Sequence, residues 1–363
     1  MTARPDTSAA ASRRAFLAGA AAAAAVPTAF AVFGAAAPAS ASASTAAGCP
    51  PPGYAPVPPS ALGPALNADG YFAGPITDTL YWVTDSFYQA MFLTTRDGVV
   101  LIDAPPTIGR NLLRAIEAVT SANGMPSTVT HLVYSHSHAD HIGASSLFGA
   151  DVIRIGQEEN LRLLRRDNDP NRPPPTVTFE DRYVLEVGGE ILELAYHGPN
   201  VTPDNIFIHA PAHQTLMVVD ILFPGWAPFK SLGIAQDIPG WIGAQDVAMS
   251  YPWTTLVGGH LGRLGTRADG LTQIQYIADL QASTRAAIAS VDPTPYFQQY
   301  SPNAWAIFKA YLDAVSAQAA DPVIAKYTGV LAAADVYTFL NAAAILDSLR
   351  VDAGDLGPFG DHP

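Results

Sequence analysis

Residues 134–143 read Tyr-Ser-His-Ser-His-Ala-Asp-His-Ile-Gly and place His136, His138, Asp140 and His141 within six positions at the end of an apolar run. Imidazole nitrogens and carboxylate oxygens are the donors that zinc or a related divalent transition metal takes. A strand running into a turn can aim alternate side chains into one pocket, so this spacing predicts metal ligation. The chain has nine histidines in 363 residues and three lie in this turn, a concentration that a plain polar surface loop does not explain. Two later residues are candidates for the same pocket. Asp220 follows the run Leu216-Met217-Val218-Val219, and a carboxylate ending a buried strand needs a compensating partner such as a cation. His260 follows Gly258-Gly259, whose missing side chains let backbone approach closely. His197 ends another apolar run and is either a ligand or a structural histidine. His131, His209 and His213 read as strand or turn histidines, and His362 as part of the tail.

The elements that must hold these residues follow from periodicity. Strands are expected at Leu80–Val83, Ala90–Thr94 and Val99–Ile102, the last two joined by the turn Arg96-Asp97-Gly98. Leu112, Leu113, Ile116 and Val119 at helical spacing predict an amphipathic helix over 108–119. Thr128–Tyr134 is the strand that delivers the histidine turn, at the end of a strand where open α/β sheets place their ligands. A strand at Val152–Ile155, a helix at Glu158–Arg166 and an exposed proline-bearing loop at 167–175 come next. Tyr183–Val187 and Ile191–Tyr196, split by Gly188-Gly189, read as a hairpin, and Asn205–Ala210 pairs with Thr215–Val219. From about residue 271 the pattern is helical throughout. Ser301-Pro302 opens a helix with Trp305, Phe308, Leu312 and Val315 on one face, and Asp321-Pro322 starts another.

The two ends of the chain need separate treatment. Ser12-Arg13-Arg14-Ala15-Phe16-Leu17 ahead of an alanine-rich apolar run reads as a twin-arginine export signal over 1–43, cleaved near the Ala-Ser-Ala sites at 39–43. Residues 44–65 follow as a proline-rich linker that cannot supply a hydrogen-bonded ladder. The expected location is outside the cytoplasm, secreted, with a lipid anchor at Cys49 as the alternative and no stable membrane insertion once the signal is removed. Cys49 is the single cysteine, which excludes an intrachain disulfide and a thiolate-rich metal site. Net charge is −13, and loss of Arg4, Arg13 and Arg14 together with Asp6 leaves −15. So acidic a protein repels nucleic acid, so a small molecule is the expected partner. The charge says nothing of oligomeric state.

The order of parts, a His-x-His-x-Asp-His turn, then Gly198-Pro199-Asn200-Val201-Thr202-Pro203-Asp204-Asn205, Asp220 at a strand end and Gly258-Gly259-His260, resembles the metallo-β-lactamase superfamily. Asp103 in Leu-Ile-Asp-Ala matches that family's early strand-end aspartate. The resemblance implies an α/β (α+β) fold, a four-layer αββα sandwich over residues 66–270, with the helical region 271–363 appended. It implies that His136 and His138 hold a first metal, Asp140, His141 and His260 a second, and that Asp220 bridges them. Aspartate at 220 is closer to the glyoxalase and lactonase branches than to true β-lactamases. One departure stands out. Where the family places a third histidine for the first metal this chain has Val201, which cannot ligate, so either His197 is recruited by a rerouted loop or the first site is weak or empty.

The expected function is a metallo-hydrolase with one or two zinc ions, in which hydroxide generated on the metal attacks an ester, lactone, thioester or lactam-type carbonyl and Asp140 steers it. Phe223–Lys230 should rim the pocket, with Trp226 and Phe229 offering apolar contact and Lys230 a charge for a substrate carboxylate. Two other classes stay open: a catalytically impaired metal-binding protein of the same fold, and a mononuclear iron oxygenase.

Overall fold

The computed structural model describes residues 53–360. The export signal, Cys49 and residues 44–52 of the linker therefore lie outside the described residues. Two sheets face one another. The first has seven strands in sequence order: β1 (Phe72–Pro75), β2 (Leu80–Thr84), β3 (Gln89–Thr95), β4 (Gly98–Ile102), β5 (Val129–Val133), β6 (Ile153–Gln157) and β7 (Val177–Phe179). It is antiparallel through β4 and parallel from there to β7. The second has five, in the order β12 (Thr255–Val257), β11 (Thr215–Val218), β10 (Ile206–Ala210), β9 (Glu190–Tyr196) and β8 (Arg182–Val187).

Three apolar layers result. Leu80, Leu93 and Ile102 of the first sheet meet Leu194, Ile208 and Met217 of the second between the sheets. Strands buried on both faces read as continuous apolar runs, which is why the central strands were legible. Helix α1 (Asn111–Asn123) covers the outer face of the first sheet through Leu112 and Ile116. It starts three residues later than its periodicity suggests, because Pro106 to Arg110 form turns first. The short helices α2 (Ala139–Ile142) and α3 (Glu158–Asp167) flank β5 and β6.

The outer face of the second sheet is covered by α4 (Ile238–Ser250), α5 (Arg267–Ser290), α7 (Ala304–Tyr327) and α8 (Ala334–Val351), with the short α6 (Thr294–Tyr300) packed on α7. Phe207, Val218, Trp241, Tyr276, Tyr311 and Ile345 share one core there, so the C-terminal helices share their buried interior with the sheet. This is the αββα sandwich with its helical C-terminal region.

Three sequence expectations need correction. No helix starts at Asp321-Pro322: α7 runs through Pro322. A proline inside a helix costs about 3 kcal/mol, but Ala319, Ala320, Val323 and Tyr327 are buried in the shared core around it, and burying a side chain such as Val323 contributes about 2 kcal/mol. The buried face of α7 is Ile307, Tyr311 and Val315, and Trp305 is 83% exposed on the other side. Residues 53–65 are no free spacer. Ala55 N–H donates to Asp335 Oδ2 at 2.6 Å, Ala61 is buried, and its carbonyl accepts from Trp226 Nε1 at 3.2 Å. No ladder forms, as the prolines require, yet side chains and single bonds tie the strap down. Among the described residues no helix is long and apolar enough to cross a membrane.

Candidate metal centre

The site sits at one end of the sandwich, where β4, β5, β11 and β12 all run out. Two of the residues there are aspartates held at positive φ, Asp103 at 61° and Asp220 at 63°. This conformation is sparsely populated for a residue with a side chain and persists only where surroundings hold it. Asp103 is fully buried, and its Oδ1 accepts from Ser135 N–H at 2.8 Å, which fixes the chain as it leaves β5 toward His136. Burial pushes the Asp103 carboxyl up to about 6 against the opposing pull of His141 and the Ser135 bond. Asp204 Oδ1 and Oδ2 accept from Ser137 Oγ at 3.2 Å and Asn160 Nδ2 at 2.9 Å, fixing the same turn from the other side.

Asp220 is placed by its backbone. Its carbonyl accepts from Trp241 Nε1 at 2.7 Å, and Asn205 Nδ2 donates to the preceding Val219 carbonyl at 3.0 Å. Gly259, at φ 83°, passes so close to Val219 that an added Cβ would lie 2.6 Å from its side chain, so only glycine brings His260 in. Gln89 N–H, donating to the Gly259 carbonyl at 2.8 Å, anchors this loop to β3.

These constraints gather the side chains. Asp220 Oδ2 is 3.4 Å from both His136 Nε2 and His141 Nε2, and its Oδ1 is 2.8 Å from His260 Nε2. Asp140 Oδ2 lies 3.7 Å from His141 Nε2 and 3.9 Å from His260 Nε2. Two ligand atoms around one tetrahedral zinc stand about 3.3 Å apart at ordinary bond lengths. The ligand atoms of His136, His141 and Asp220 form one mutually close group, and those of Asp140, His141 and His260 a second. The His138 ring meets that of His136 edge-on, 4.6 Å between centroids, and faces the cleft.

The donor set fits a cation. His136 Nε2 is buried without a hydrogen-bond partner, and buried Asp220 Oδ1 has only the 2.8 Å approach of His260 Nε2 beside it. Orphaned buried lone pairs cost about 1–3 kcal/mol each unless something satisfies them. Among the protein's own groups, burial and the neighbouring His138 and His141 hold His136 well below the usual imidazole range, so it is neutral and free to ligate. Burial lowers His141 too, but the Asp220 carboxylate outweighs it and pushes this imidazole up to about 9. Burial opposes ionisation of Asp220, yet His141 and His260 keep it well below the usual carboxylate range.

His197 does not join. Its Nε2 is 2.7 Å from Tyr251 Oη, and its ring packs on Phe207 beside Arg182 and His209 in a different surface depression. Gly198-Pro199 carries the chain away from it before the site is reached. Val201 is fully buried in the apolar core with Phe207, Val218 and Trp241, so packing explains the residue. Lys230 is exposed and lies outside the cleft lining, whereas Trp226 and Phe229 both line it.

The cleft beside the cluster has a volume of about 590 Å³. Its wall includes a segment that sequence patterns do not disclose. Ser231, Leu232, Gly233 and Ile234 all have positive φ, a single left-handed turn. Each such non-glycine residue costs about 1–2 kcal/mol. The turn is held because Leu232 is buried, its N–H donates to Asn341 Oδ1 at 2.9 Å, and Asn341 Nδ2 donates to the Pro228 carbonyl at 2.9 Å. Ala332 exchanges backbone bonds with Gly225 and Ala227 at 2.9 Å each. The C-terminal region thus braces the cleft wall, and Tyr337 and Ala333 line it directly. Tyr88 is the other residue missed. It sits in the turn between β2 and β3, its ring 4.7 Å from that of His260, and burial and then the Asp140 carboxylate push its hydroxyl up to about 12. A lone tyrosine in a polar turn gave no signal.

Residues 83–260 match the family model of the metallo-β-lactamase superfamily. The chain belongs to that superfamily. Among curated proteins it is 24% identical over 244 residues, 65% of this chain and 68% of the other, to the 2,4-dinitroanisole O-demethylase subunit alpha of Nocardioides sp. (strain JS1661). Solved structures with similarity to this chain include a metallo-β-lactamase from Pontibacter korlensis, with a TM-score of 0.48 and 22% identity over 56% of this chain and 99% of that one. Another is the metallo-β-lactamase IND-7, with a TM-score of 0.47 and 19% identity over 58% of this chain and all of that one.

Proposed function

We propose that this superfamily member is a zinc-dependent hydrolase of an ester, lactone, thioester or lactam-type carbonyl, working outside the cytoplasm. The observation that carries the proposal is the convergence of His136, His141, Asp220 and His260 with buried lone pairs left unpartnered. A divalent cation held there supplies Lewis-acid activation of water, bringing its pKa toward neutrality. Asp140, partly exposed at the cleft edge, accepts a proton from the attacking water and orients it. Tyr88, a neutral phenol across physiological pH, donates a hydrogen bond at the same edge. Apolar side chains around Phe223 exclude bulk water from that corner.

Elemental analysis of the purified chain with anomalous scattering at the zinc edge, paired with turnover before chelation, after it and after metal return, tests the proposal. One or two zinc ions and turnover that follows the metal are expected. Bound metal with no turnover of any ester, lactone, thioester or lactam would leave a metal-binding protein that has lost catalysis.

A second reading comes from the Nocardioides relative, named for O-demethylation of 2,4-dinitroanisole. The aromatic cleft lining suits a compound of that kind. Water added at the ring carbon bearing the methoxy group would yield the phenol and methanol, with the nitro-substituted ring carrying the transient charge. Methanol from this substrate marks hydrolysis, whereas formaldehyde with oxygen uptake and bound iron would mark an oxygenase.

A further inference from the structure

The metal-ligand cluster occupies one end of the cleft, and the rest of its wall is apolar and largely aromatic, with Phe87, Trp226, Phe229, Ile234 and Tyr337 contributing. Phe87 is 69% exposed, Ile234 55% and Phe229 42%, so three large apolar side chains at the mouth are left in water. Clustered exposure of this kind has no folding benefit and marks a surface that an apolar ligand covers. The Phe229 and Tyr337 rings meet edge-on at 5.1 Å between centroids, joining the left-handed turn to α8. A cleft of about 590 Å³ has room for a substituted ring together with the bond to be broken.

Charge decides what kind of ring. Among the described residues no lysine or arginine lines the cleft, and the acidic groups there, Asp140 and Asp220, stand beside the histidines. Lys230 is next to Phe229 in sequence but is exposed and outside the lining. A substrate carboxylate placed along the wall would lose its water against aromatic faces and gain no counter-charge. A neutral ring loses little hydration and gains stacking and edge contacts with Trp226, Phe229 and Tyr337.

We propose that the substrate is an uncharged molecule built on an aromatic ring, held along the Trp226, Phe229 and Tyr337 wall with its scissile bond turned toward His138, Asp140 and His260. This rests on the hydrolytic proposal above and narrows it. The wall is positioned before substrate arrives, because Asn341 and Ala332 hold the turn and Ala61 holds the Trp226 ring. Anionic β-lactams and acyl-homoserine-like acids carrying a free carboxylate are then poor substrates.

The test compares matched pairs on the zinc-loaded full chain. Turnover of 4-acetoxybenzamide is measured against 4-acetoxybenzoate, which differs by one negative charge on the ring. Binding of deoxybenzoin, a ketone that cannot be hydrolysed, is measured against its 4-carboxy derivative by quenching of tryptophan fluorescence, in the natural chain and in Trp226→Phe. The amide is expected to have a kcat/KM about tenfold or more above the acid. The neutral ketone should bind more tightly by a similar factor, with a quench that disappears in Trp226→Phe. Phe229→Ala and Tyr337→Ala, one exposed and one at the cleft edge, should raise KM severalfold with kcat little changed. Equal or better turnover of the acid overturns the inference and leaves hydrolysis standing. Preferential ketone binding at Trp226 without turnover of either ester supports the ring site and counts against aryl-ester hydrolysis, the other carbonyl classes being decided by the chelation test above. No quench, or one that persists unchanged in Trp226→Phe, overturns the inference whatever the turnover.

Discussion

The two ends of the candidate metal centre are built differently. At the His260 end, Asp140, His141 and His260 come from α2 and the loop after β12, and their ligand atoms are mutually close. At the His136 end only His136 and the shared His141 and Asp220 form such a group, with His138 turned to the cleft. No further imidazole arrives from the 198–205 segment, because Val201 is committed to the apolar core. One side chain thus separates an end held by a full set of donors from one that depends on its neighbour. Asp220 joins them, one carboxylate oxygen facing each side.

Five substitutions break or sharpen this contrast. Asp220→Ala removes the shared ligand and should empty both ends. Because even residues that only support a ligand cost about 10–100-fold, turnover is expected to fall by more than about 100-fold, and elemental analysis should find little zinc. If Asp220→Ala keeps its metal, the two ends are independent. His260→Ala should weaken zinc binding more than His138→Ala does, by about tenfold in competition with a chromophoric chelator; the reverse order would put the stronger end at His136. Val201→Ala should lower unfolding free energy by about 2 kcal/mol by leaving a cavity, with zinc content unchanged; a change in zinc would tie Val201 to the site. His197→Ala should cost about 1 kcal/mol through the lost bond to Tyr251 and leave metal content and turnover as they were. A loss of zinc in that variant would mean that the 198–205 loop rearranges to deliver an imidazole.

The ligand cluster was legible because local chemistry and local geometry coincide there. His136 to His141 are neighbours in the chain, and Asp220 and His260 each follow an apolar run that ends abruptly in a polar residue. The central strands were legible as continuous apolar runs because they are buried on both faces, whereas their arrangement in two facing sheets followed only from the family resemblance. Short edge strands such as β1 and β7 carry too few residues for a period to show. His197 stayed open between ligand and structural histidine because distance along the chain does not reveal which way a loop turns; it lies four residues before Val201, and its Nε2 meets Tyr251 Oη in a separate surface depression. Lys230 misled for a related reason, as the left-handed turn that follows it leaves it outside the cleft.

From the sequence alone follow the kind of donors present, their attachment to strand ends, and the strongly acidic net charge. Those depend on side-chain chemistry and on periodicity within a few residues. Tertiary structure alone decided which histidines share a pocket, that valine rather than imidazole fills the 201 position without a gap, and that the C-terminal helices wall the cleft through Asn341, Ala333 and Tyr337. Each of these joins segments up to about a hundred residues apart, and such contacts are set by how whole layers pack.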